Sequence, residues 1–284
     1  MTRLAVLGSP IGHSKSPLLH RAAYRELGLD WTYDAVEMTG VTLAEFVAGR
    51  DASWRGLSLT MPLKHDVMPL LHTADATAQL TGVANTLLFD RSARSDSPDG
   101  AVRLRGFNTD VYGVTRAFRD AGVERLDDVW ILGGGATAAS VIVAVRELGA
   151  ARATVLVRDP ARASGVAALG ASVGLDLEVL AFGAGLPGDA PDAVVSTLPG
   201  HSEHGLLFPS AVRRSSVLFD VAYDPWPSTL AGAWGDGGGT VISGLGMLLH
   251  QALAQVRVFV NGTPDAPLDD EAAVLAAMRE AVAR

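Results

Sequence analysis

A glycine-rich turn between a short apolar run and a helix-like run limits the fold of this chain more than any other feature. Residues 129–139 read Val-Trp-Ile-Leu-Gly-Gly-Gly-Ala-Thr-Ala-Ala. The four apolar residues Val129–Leu132 predict a buried strand, and the G-x-G-x-x-A pattern after them leads into a helix predicted over Ala138–Leu148. In such a turn the first glycine permits a tight bend, and the second lets the backbone approach a pyrophosphate. The pattern therefore predicts a parallel α/β sheet that holds a dinucleotide at one end of its strands.

Strand-like and helix-like patterns alternate along the rest of the chain, which predicts an α/β fold throughout. Before the turn, strands are predicted at Arg3–Leu7, Trp31–Glu37, Gly56–Thr60, Asn85–Phe89 and Val102–Phe107, and helices at Pro17–Leu27, Leu43–Val47, Asp66–Leu71 and Val111–Ala121. After the turn, strands are predicted at Ala153–Val157, Leu177–Ala181, Ala193–Thr197 and Val217–Val221, and helices at Gly244–Val260 and Glu271–Val282. The polar stretch Asp90–Gly100 is expected to be an exposed hairpin loop, and a domain boundary is expected near Asn108.

Composition excludes several classes of protein. The chain has 284 residues and no cysteine, so disulfides, thiolate nucleophiles and cysteine-based zinc sites are ruled out. With 23 basic and 31 acidic residues the net charge is −8, which disfavours nucleic acid and anionic lipid as partners. No apolar run is long enough for a transmembrane helix, and the N-terminus lacks the pattern of a secretory signal. We therefore expect a cytoplasmic protein.

The end of the strand after the glycine turn bears on the choice of dinucleotide. Arg158 and Arg162 could pair on the 2′-phosphate of NADP, whereas an acidic residue at this point suits the 2′-hydroxyl of NAD. Asp159 lies beside Arg158 and could repel a phosphate or merely cap the following helix. The sequence favours NADP and leaves NAD as the less favoured choice.

Polar side chains also follow several strands of the N-terminal part. Ser14 and Ser16 precede a predicted helix, where Ser16 is expected as the N-cap and Pro17 as the first helical residue. Thr60-Met61-Pro62-Leu63-Lys64, Asn85-Thr86 and Asn108-Thr109-Asp110 lie at other strand ends. Since α/β sheets bind ligands at strand ends, these segments predict one cleft, with the serine hydroxyls suited to a small carboxylate.

Lys64 stands out because only it and Lys15 are lysine among the 23 basic residues. Arginine does not release its proton in proteins, whereas a lysine in a cleft can. Hydride transfer to a ketone builds negative charge on the carbonyl oxygen, and a placed cation or proton donor stabilises it. Lys64 is the candidate for that role, either as proton donor or as electrostatic clamp. Asp110 could hold the amine and bind a substrate hydroxyl, or serve only as a helix N-cap.

These segments, taken in order, resemble the shikimate dehydrogenase family. The resemblance is carried by Gly12-His13-Ser14-Lys15-Ser16-Pro17, Thr60–Lys64, Asn85-Thr86, Gly106–Asp110, the glycine turn and residues 244–252, Gly-Leu-Gly-Met-Leu-Leu-His-Gln-Ala. It implies NADP-dependent reduction of 3-dehydroshikimate to shikimate in aromatic amino acid biosynthesis. It also implies an α/β substrate domain at 1–108, a Rossmann-like NADP-binding domain at 109–243, and C-terminal helices at 244–284 that return to the first domain.

The resemblance also assigns roles by position. Lys64 and Asp110 match the catalytic pair, and the substrate contacts match Ser14, Ser16, Thr60, Asn85, Tyr223 and Gln251. The cofactor contacts are expected from Gly133, Gly134, Gly135, Ala136, Thr137, Arg158, Arg162, Val221 and Gly244. The chain departs from the family pattern at Ser58, where asparagine is usual, at Val157-Arg158-Asp159, and at Val195-Ser196-Thr197-Leu198.

Two other functions compete with this interpretation. A quinate or aminoshikimate dehydrogenase would use the same scaffold with NAD or NADP, and a dinucleotide-sensing relative without activity would not need Lys64 together with Asp110. The seven histidines form no metal-binding pattern, since His201 and His204 lack a third ligand, and no metal is expected. A homodimer is compatible with the sequence.

Overall fold

A computed structural model describes residues 1–91, 102–200, 202 and 205–283. The chain divides into two compact units, unit 1 being Met1–Thr109 with Leu249–Arg284 and unit 2 being Asp110–Leu248. The boundaries predicted at 108 and 243 lie near these positions, and the substrate and cofactor roles of the two parts stay predictions.

Unit 1 is built on a mixed sheet. Its described strands are β1 (Thr2–Gly8), β2 (Trp31–Glu37), β3 (Trp54–Leu59), β4 (Thr73–Ala74), β5 (Thr86–Asp90) and β6 (Arg103–Phe107). They lie in the order β2-β1-β3-β5-β6-β4. β5 is antiparallel to both of its neighbours, and the remaining pairs are parallel. The first four helices are α1 (Ser16–Glu26), α2 (Leu43–Ala48), α3 (Leu63–Asp66) and α4 (Ala76–Thr81).

Unit 2 is built on a parallel sheet. Its described strands are β7 (Asp128–Leu132), β8 (Arg152–Val157), β9 (Asp176–Ala181), β10 (Ala193–Ser196), β11 (Val217–Asp220) and β12 (Val241–Ser243). They lie in the order β12-β11-β10-β7-β8-β9, the doubly wound order of dinucleotide-binding domains. The helices are α5 (Asp110–Asp120), α6 (Ala136–Glu147), α7 (Ser164–Ser172), α8 (Ser210–Ser215) and α9 (Thr229–Asp236). Two C-terminal helices follow, α10 (Gly244–Asn261) and α11 (Glu271–Ala283).

Strand β7 shows why the second sheet has continuous apolar runs. Val129 and Ile131 pack in one buried cluster with residues of α5 and α6. Trp130 and Leu132 point the other way, into a second cluster that includes Trp234. Because side chains alternate between the faces of a strand, a sheet covered on both faces needs apolar residues at every position.

The predicted elements are present, with some corrections. Helix Asp66–Leu71 was placed too late, because α3 ends at Asp66 and a 3₁₀ turn, Met68–Leu70, follows it. The sequence patterns missed β4, α4, α7, α8, α9 and β12. Most of the loop predicted at Asp90–Gly100 lies outside the described residues. His201 and His204 also lie outside them.

In the part of the chain that the structure describes, no helix has the length and apolarity needed to cross a membrane. No group of three or more histidine, aspartate or glutamate side chains is arranged there to hold a metal ion.

Candidate active site

The polar segments of unit 1 meet at one end of its strands. Thr60 follows β3, and Asn108 follows β6, which runs parallel to β3. Asn85 precedes β5 rather than following it. Because β5 runs in the opposite direction, its start lies at the same end of the sheet as the carboxyl ends of β3 and β6. The strand direction thus brings Asn85 to the end of the sheet that holds the other segments.

A close approach between two loops shapes this end of the sheet. A Cβ on Gly8 would lie 2.3 Å from Cγ2 of Thr60 and 2.8 Å from the carbonyl oxygen of Met61, so only glycine fits. The Thr60 N–H donates to the Leu7 carbonyl (2.9 Å), and the Ser9 N–H donates to the Met61 carbonyl (2.9 Å). These contacts hold the loop after β1 against the loop after β3.

Glu37, the last residue of β2, holds the same loop from the other side. Its carboxylate accepts hydrogen bonds from the Ser9 hydroxyl (2.6 Å) and the Ile11 N–H (2.9 Å). Sequence reasoning missed this role, because a glutamate at a strand end carries no signal of what it contacts. The contacts fix the segment that leads to Ser14.

The helix start after this loop corrects one prediction. Ser16 is the first residue of α1 and Lys15 is its N-cap residue, with no side-chain capping bond. The assignment of Ser16 as the N-cap was therefore wrong. Ser14 accepts a hydrogen bond from the Ser16 N–H on its Oγ at 3.3 Å, so Ser14 satisfies a donor at the helix start. Ser14 is half-buried and Ser16 is buried.

Lys64 lies on the short helix α3, which starts directly after the Thr60 turn. The Leu63 N–H donates to the Thr60 carbonyl (2.8 Å), and the Ala84 N–H donates to the Lys64 carbonyl (3.0 Å). Thr60 and Lys64 are both half-buried. The backbone bonds tie Lys64 to the segment that enters β5, one residue before Asn85.

Asn85 is the centre of a buried cluster of amides and hydroxyls. Its Nδ2 donates to Thr109 Oγ1 (2.9 Å) and to Gln251 Oε1 (3.3 Å). Its Oδ1 accepts from the Thr86 hydroxyl (2.8 Å) and from the Thr109 N–H (3.0 Å). Because a backbone N–H only donates, the Thr109 contact fixes which end of the Asn85 amide carries the oxygen. The cluster joins β5, the end of β6 and α10.

The other candidate residues of the chemistry belong to unit 2. Asp110 is the first residue of α5 and is 2% exposed. Tyr223 follows β11 and is half-buried. Val221 directly follows β11, and its N–H donates to the Ser196 carbonyl (3.0 Å).

The glycine turn of unit 2 has the features that the sequence predicted. Gly133 has a φ of +103°, and a Cβ there would lie 2.5 Å from Thr197 Oγ1. A Cβ on Gly135 would meet nothing within 4 Å, so the backbone of this exposed residue is open to a ligand. Helix α6 begins at Ala136 without a side-chain cap and without an acidic residue in its first turn. Ala138 is fully buried. This turn suits a pyrophosphate at the helix N-terminus.

The remaining candidate cofactor residues lie at neighbouring strand ends. Arg158 follows β8, and both Arg158 and Arg162 are exposed. Asp159 accepts a hydrogen bond from the Ala161 N–H (3.1 Å) and so caps the 3₁₀ turn Pro160–Ala163. A Cβ on Gly244 would lie 2.0 Å from the Val221 carbonyl oxygen, so this position after β12 also requires glycine.

Comparison with known proteins identifies the relatives of this chain. Residues 6–87 match the model of the shikimate dehydrogenase substrate binding domain. A shikimate dehydrogenase (NADP(+)) of Methanothermobacter thermautotrophicus is 31% identical, with 93% of this chain and 92% of that protein covered. The chain belongs to the shikimate dehydrogenase family.

Solved structures of shikimate dehydrogenases have the same fold. That of Mycobacterium tuberculosis has a TM-score of 0.81 at 37% identity, with 99% of this chain and 100% of that chain covered. That of Thermus thermophilus, in complex with NADP(H) and shikimate, has a TM-score of 0.77 at 28% identity, over 99% and 100% of the two chains. The predicted fold class, an α/β substrate domain with a Rossmann-like domain, is confirmed.

Some buried polar residues below Asn85 were given no role from the sequence. Gln255, Ser58 and His20 are all buried and join a hydrogen-bond network below Asn85. The signal for Gln255 was available, since it lies four residues after Gln251 in an otherwise apolar helix and so shares its face. His20 carried no such signal, and neither did Tyr33, whose hydroxyl donates to Ser58 Oγ. Aromatic residues are common in cores.

Proposed function

We propose that this chain catalyses the reversible NADPH-dependent reduction of 3-dehydroshikimate to shikimate, a step of aromatic amino acid biosynthesis. The observation that carries the proposal is a set of polar side chains at one end of the sheet of unit 1. The chain that bears them is related to shikimate dehydrogenases over most of its length. The side chains are Ser14, Ser16, Thr60, Lys64, Asn85 and Gln251. Hydroxyls, amides and one amine are suited to a small polyhydroxy acid.

The substrate carboxylate is proposed to bind Ser14 and Ser16 at the start of α1. Two hydroxyls and the helix N-terminus are donors for an anion. Thr60, Asn85, Gln251 and Tyr223 are proposed to bind the ring hydroxyls and the carbonyl. Amides offer both donors and acceptors, which matches alcohols on a ring.

Lys64 and Asp110 are the proposed catalytic residues. A cationic amine near the carbonyl oxygen stabilises the negative charge that develops there, and it either donates the proton or acts as an electrostatic clamp. Asp110 is proposed to hold the amine and to accept a hydrogen bond from a substrate hydroxyl.

The residues of unit 2 fit NADP. The open backbone at Gly135 and the uncapped start of α6 would hold the pyrophosphate, and Gly133, Gly134, Ala136 and Thr137 complete the turn. Arg158 and Arg162 would hold the 2′-phosphate, because exposed guanidinium groups at the end of β8 are suited to phosphate oxygens. Asp159 caps its own turn, so the proposal gives it the capping role and gives the 2′-phosphate to the arginines. When bound, NADPH supplies the hydride.

An assay of NADP⁺ reduction with shikimate tests the proposal. Turnover with shikimate and NADP⁺, with a much lower kcat/KM for quinate or for NAD⁺, is expected. Comparable kcat/KM for quinate and shikimate would favour the quinate dehydrogenase alternative. Binding of NADP⁺ without turnover of either acid would favour the sensing relative and overturn the proposal. A cytoplasmic location and a homodimer are further parts of the proposal, based on the sequence alone.

A further inference from the structure

We propose that Gln255 and Ser58 are positioning residues that hold the Asn85 amide in one orientation for the substrate, through a buried hydrogen-bond network. The inference rests on the proposed function, since it concerns the same site. Gln255 is 2% exposed and Ser58 is 3% exposed, so neither side chain is available to bind the substrate from solvent.

Gln255 is held by donors on one side. Its Oε1 accepts from the Ser58 hydroxyl (2.8 Å) and from His20 Nε2 (3.1 Å). The Tyr33 hydroxyl donates to Ser58 Oγ (2.6 Å), which directs the Ser58 proton toward Gln255. The His20 contact requires a proton on Nε2, so His20 Nδ1 is the acceptor of the Tyr24 hydroxyl (3.0 Å). Each of these contacts agrees with a single direction of donation.

Gln255 then directs two donors toward Asn85 and its neighbour. Its Nε2 donates to the Asn85 carbonyl (3.0 Å) and to Thr86 Oγ1 (3.1 Å). Because Thr86 Oγ1 accepts this bond, its own proton is directed to Asn85 Oδ1 (2.8 Å). With Oδ1 held by Thr86 and by the Thr109 N–H, the Asn85 Nδ2 group faces Gln251.

The network therefore sets the orientation of a substrate-binding amide from a buried glutamine on α10. The same helix carries Gln251 four residues earlier. Helix α10 therefore supplies both Gln251, which accepts from the Asn85 side chain, and Gln255, which donates to the Asn85 carbonyl. Without Gln255 the Thr86 hydroxyl loses the donor that directs its proton toward Asn85 Oδ1.

Kinetics of the Gln255→Met variant test the proposal. Methionine has similar length and no amide, so the variant keeps the packing and loses the four hydrogen bonds. We expect the KM for shikimate to rise about tenfold or more, as for the loss of one well-made hydrogen bond, with the KM for NADP⁺ within about twofold of wild type. Val256→Ala is the control, because Val256 is fully buried on the same helix and makes none of these side-chain bonds.

Val256→Ala is expected to lower the melting temperature and leave the KM for shikimate unchanged. Equal KM values for Gln255→Met and Val256→Ala would overturn the proposal. If Gln255→Met does not fold, Ser58→Thr and Ser58→Val replace it, because this pair has the same shape and differs only in the hydroxyl. The KM for shikimate should be lower for the threonine variant, and equal values would overturn the proposal.

A crystal structure of the Gln255→Met variant separates this proposal from the proposed function. An Asn85 side chain that is rotated or occupies two orientations supports the positioning role whether or not the wild-type protein turns over shikimate. An Asn85 amide in its wild-type orientation overturns it. An inactive wild-type protein would count against the proposed function alone.

Discussion

Lys64 is the residue on which the proposed chemistry depends most. Replacing it with alanine removes a charge that acts mainly in the transition state, so kcat for shikimate should fall at least ~100-fold with a smaller change in KM. Steady-state kinetics measure this, with Lys15→Ala as the control for loss of a lysine. A Lys64→Ala variant with a kcat close to wild type would refute the assignment.

The Lys64→Arg variant separates the two roles left open for this amine. Arginine keeps the positive charge and does not release its proton. A kcat near wild type would identify Lys64 as an electrostatic clamp, and a kcat as low as that of Lys64→Ala would identify it as the proton donor.

His20 should make stability depend on pH. Burial lowers its pKa from 6.5 to about 3, with the hydrogen bond to Gln255 acting in the opposite direction. Since the folded state disfavours the protonated form, the contribution to stability is full above pH ~6.5 and is lost as the pH falls toward 3. The slope approaches ~1.4 kcal/mol per pH unit.

Urea unfolding at pH 7, 6 and 5 checks this expectation. The difference in free energy of unfolding between wild type and His20→Gln should shrink steadily as the pH falls. Tyr24 and Tyr33, which pack against the imidazole, do not titrate in this range, because burial raises the pKa of each above its usual value. A difference independent of pH would contradict the neutral buried His20.

At the scale of elements, the start of α1 reverses the structural roles that the sequence predicted for two serines. Ser14→Ala should lower the free energy of unfolding by about 0.5–1 kcal/mol, because it leaves the Ser16 N–H without its acceptor. Ser16→Ala should cost less, because Ser16 makes no capping bond. Both should raise the KM for shikimate about tenfold. Thermal unfolding and kinetics compare the two variants, and the opposite order of stability would contradict the role given to the hydrogen bond from the Ser16 N–H to Ser14 Oγ.

The turn after β8 carries the prediction on cofactor preference. Arg158→Ala should raise the KM for NADP⁺ and leave use of NAD⁺ nearly unchanged, because only NADP⁺ has the 2′-phosphate. Kinetics with both dinucleotides measure this, and Asp159→Ala is the control, since it affects the cap of the 3₁₀ turn. An equal effect of Arg158→Ala on both dinucleotides would make its role structural.

Elements differ in how far the sequence predicted them. Apart from the short strands β4 and β12, which were missed, the strands of both sheets were predicted within a few residues because they are apolar runs bounded by turns, as β7 shows. Helix α9 was missed because its glycines and small residues give a weak helical pattern, although Ser228 caps it by accepting from the Ala231 N–H (3.0 Å). The Ser16 cap was wrong because a serine before a proline suggests an N-cap, whereas Lys15 takes that position here.

At the scale of the molecule, a partly buried ion pair joins the two C-terminal helices of the chain. Arg257 on α10 donates to both carboxylate oxygens of Glu271, the first residue of α11, from Nε (2.7 Å) and Nη2 (2.5 Å). Their side chains are 12% and 22% exposed. Burial raises the pKa of the Glu271 carboxyl, but the hydrogen bonds from Arg257 and from the Leu268 N–H, together with the Arg257 charge, outweigh it and hold the pKa below its usual value.

Arg257→Leu should destabilise the protein by about 1.5–3 kcal/mol, because it leaves a partly buried carboxylate without its partner. Arg152→Ala, which breaks an exposed pair with Asp128, is the control and should cost less than about 1 kcal/mol. Urea unfolding compares the two variants, and equal losses would show that burial adds nothing to the Arg257 pair.

The sequence predicted which segments carry the candidate site, whereas it did not predict what lies beneath them. Residues such as Thr60 and Asn85 could be placed because each borders a strand. The hydrogen bonds between His20, Ser58 and Gln255 join residues about 200 positions apart, so no local pattern indicates them. Polar residues within apolar runs were the available sign that a network exists.

The antiparallel direction of β5 also affects how this family can vary. Asn85 and Thr109 are held together by the ladder that pairs Thr86 with Phe107, and the connection from β5 to β6 leaves from the opposite end, where Asp90 pairs with Arg103. Insertions or deletions between Arg91 and Val102 therefore do not change which side chains meet at the site. We therefore expect a variant with a longer or shorter connection to keep the hydrogen bonds between Asn85 and Thr109.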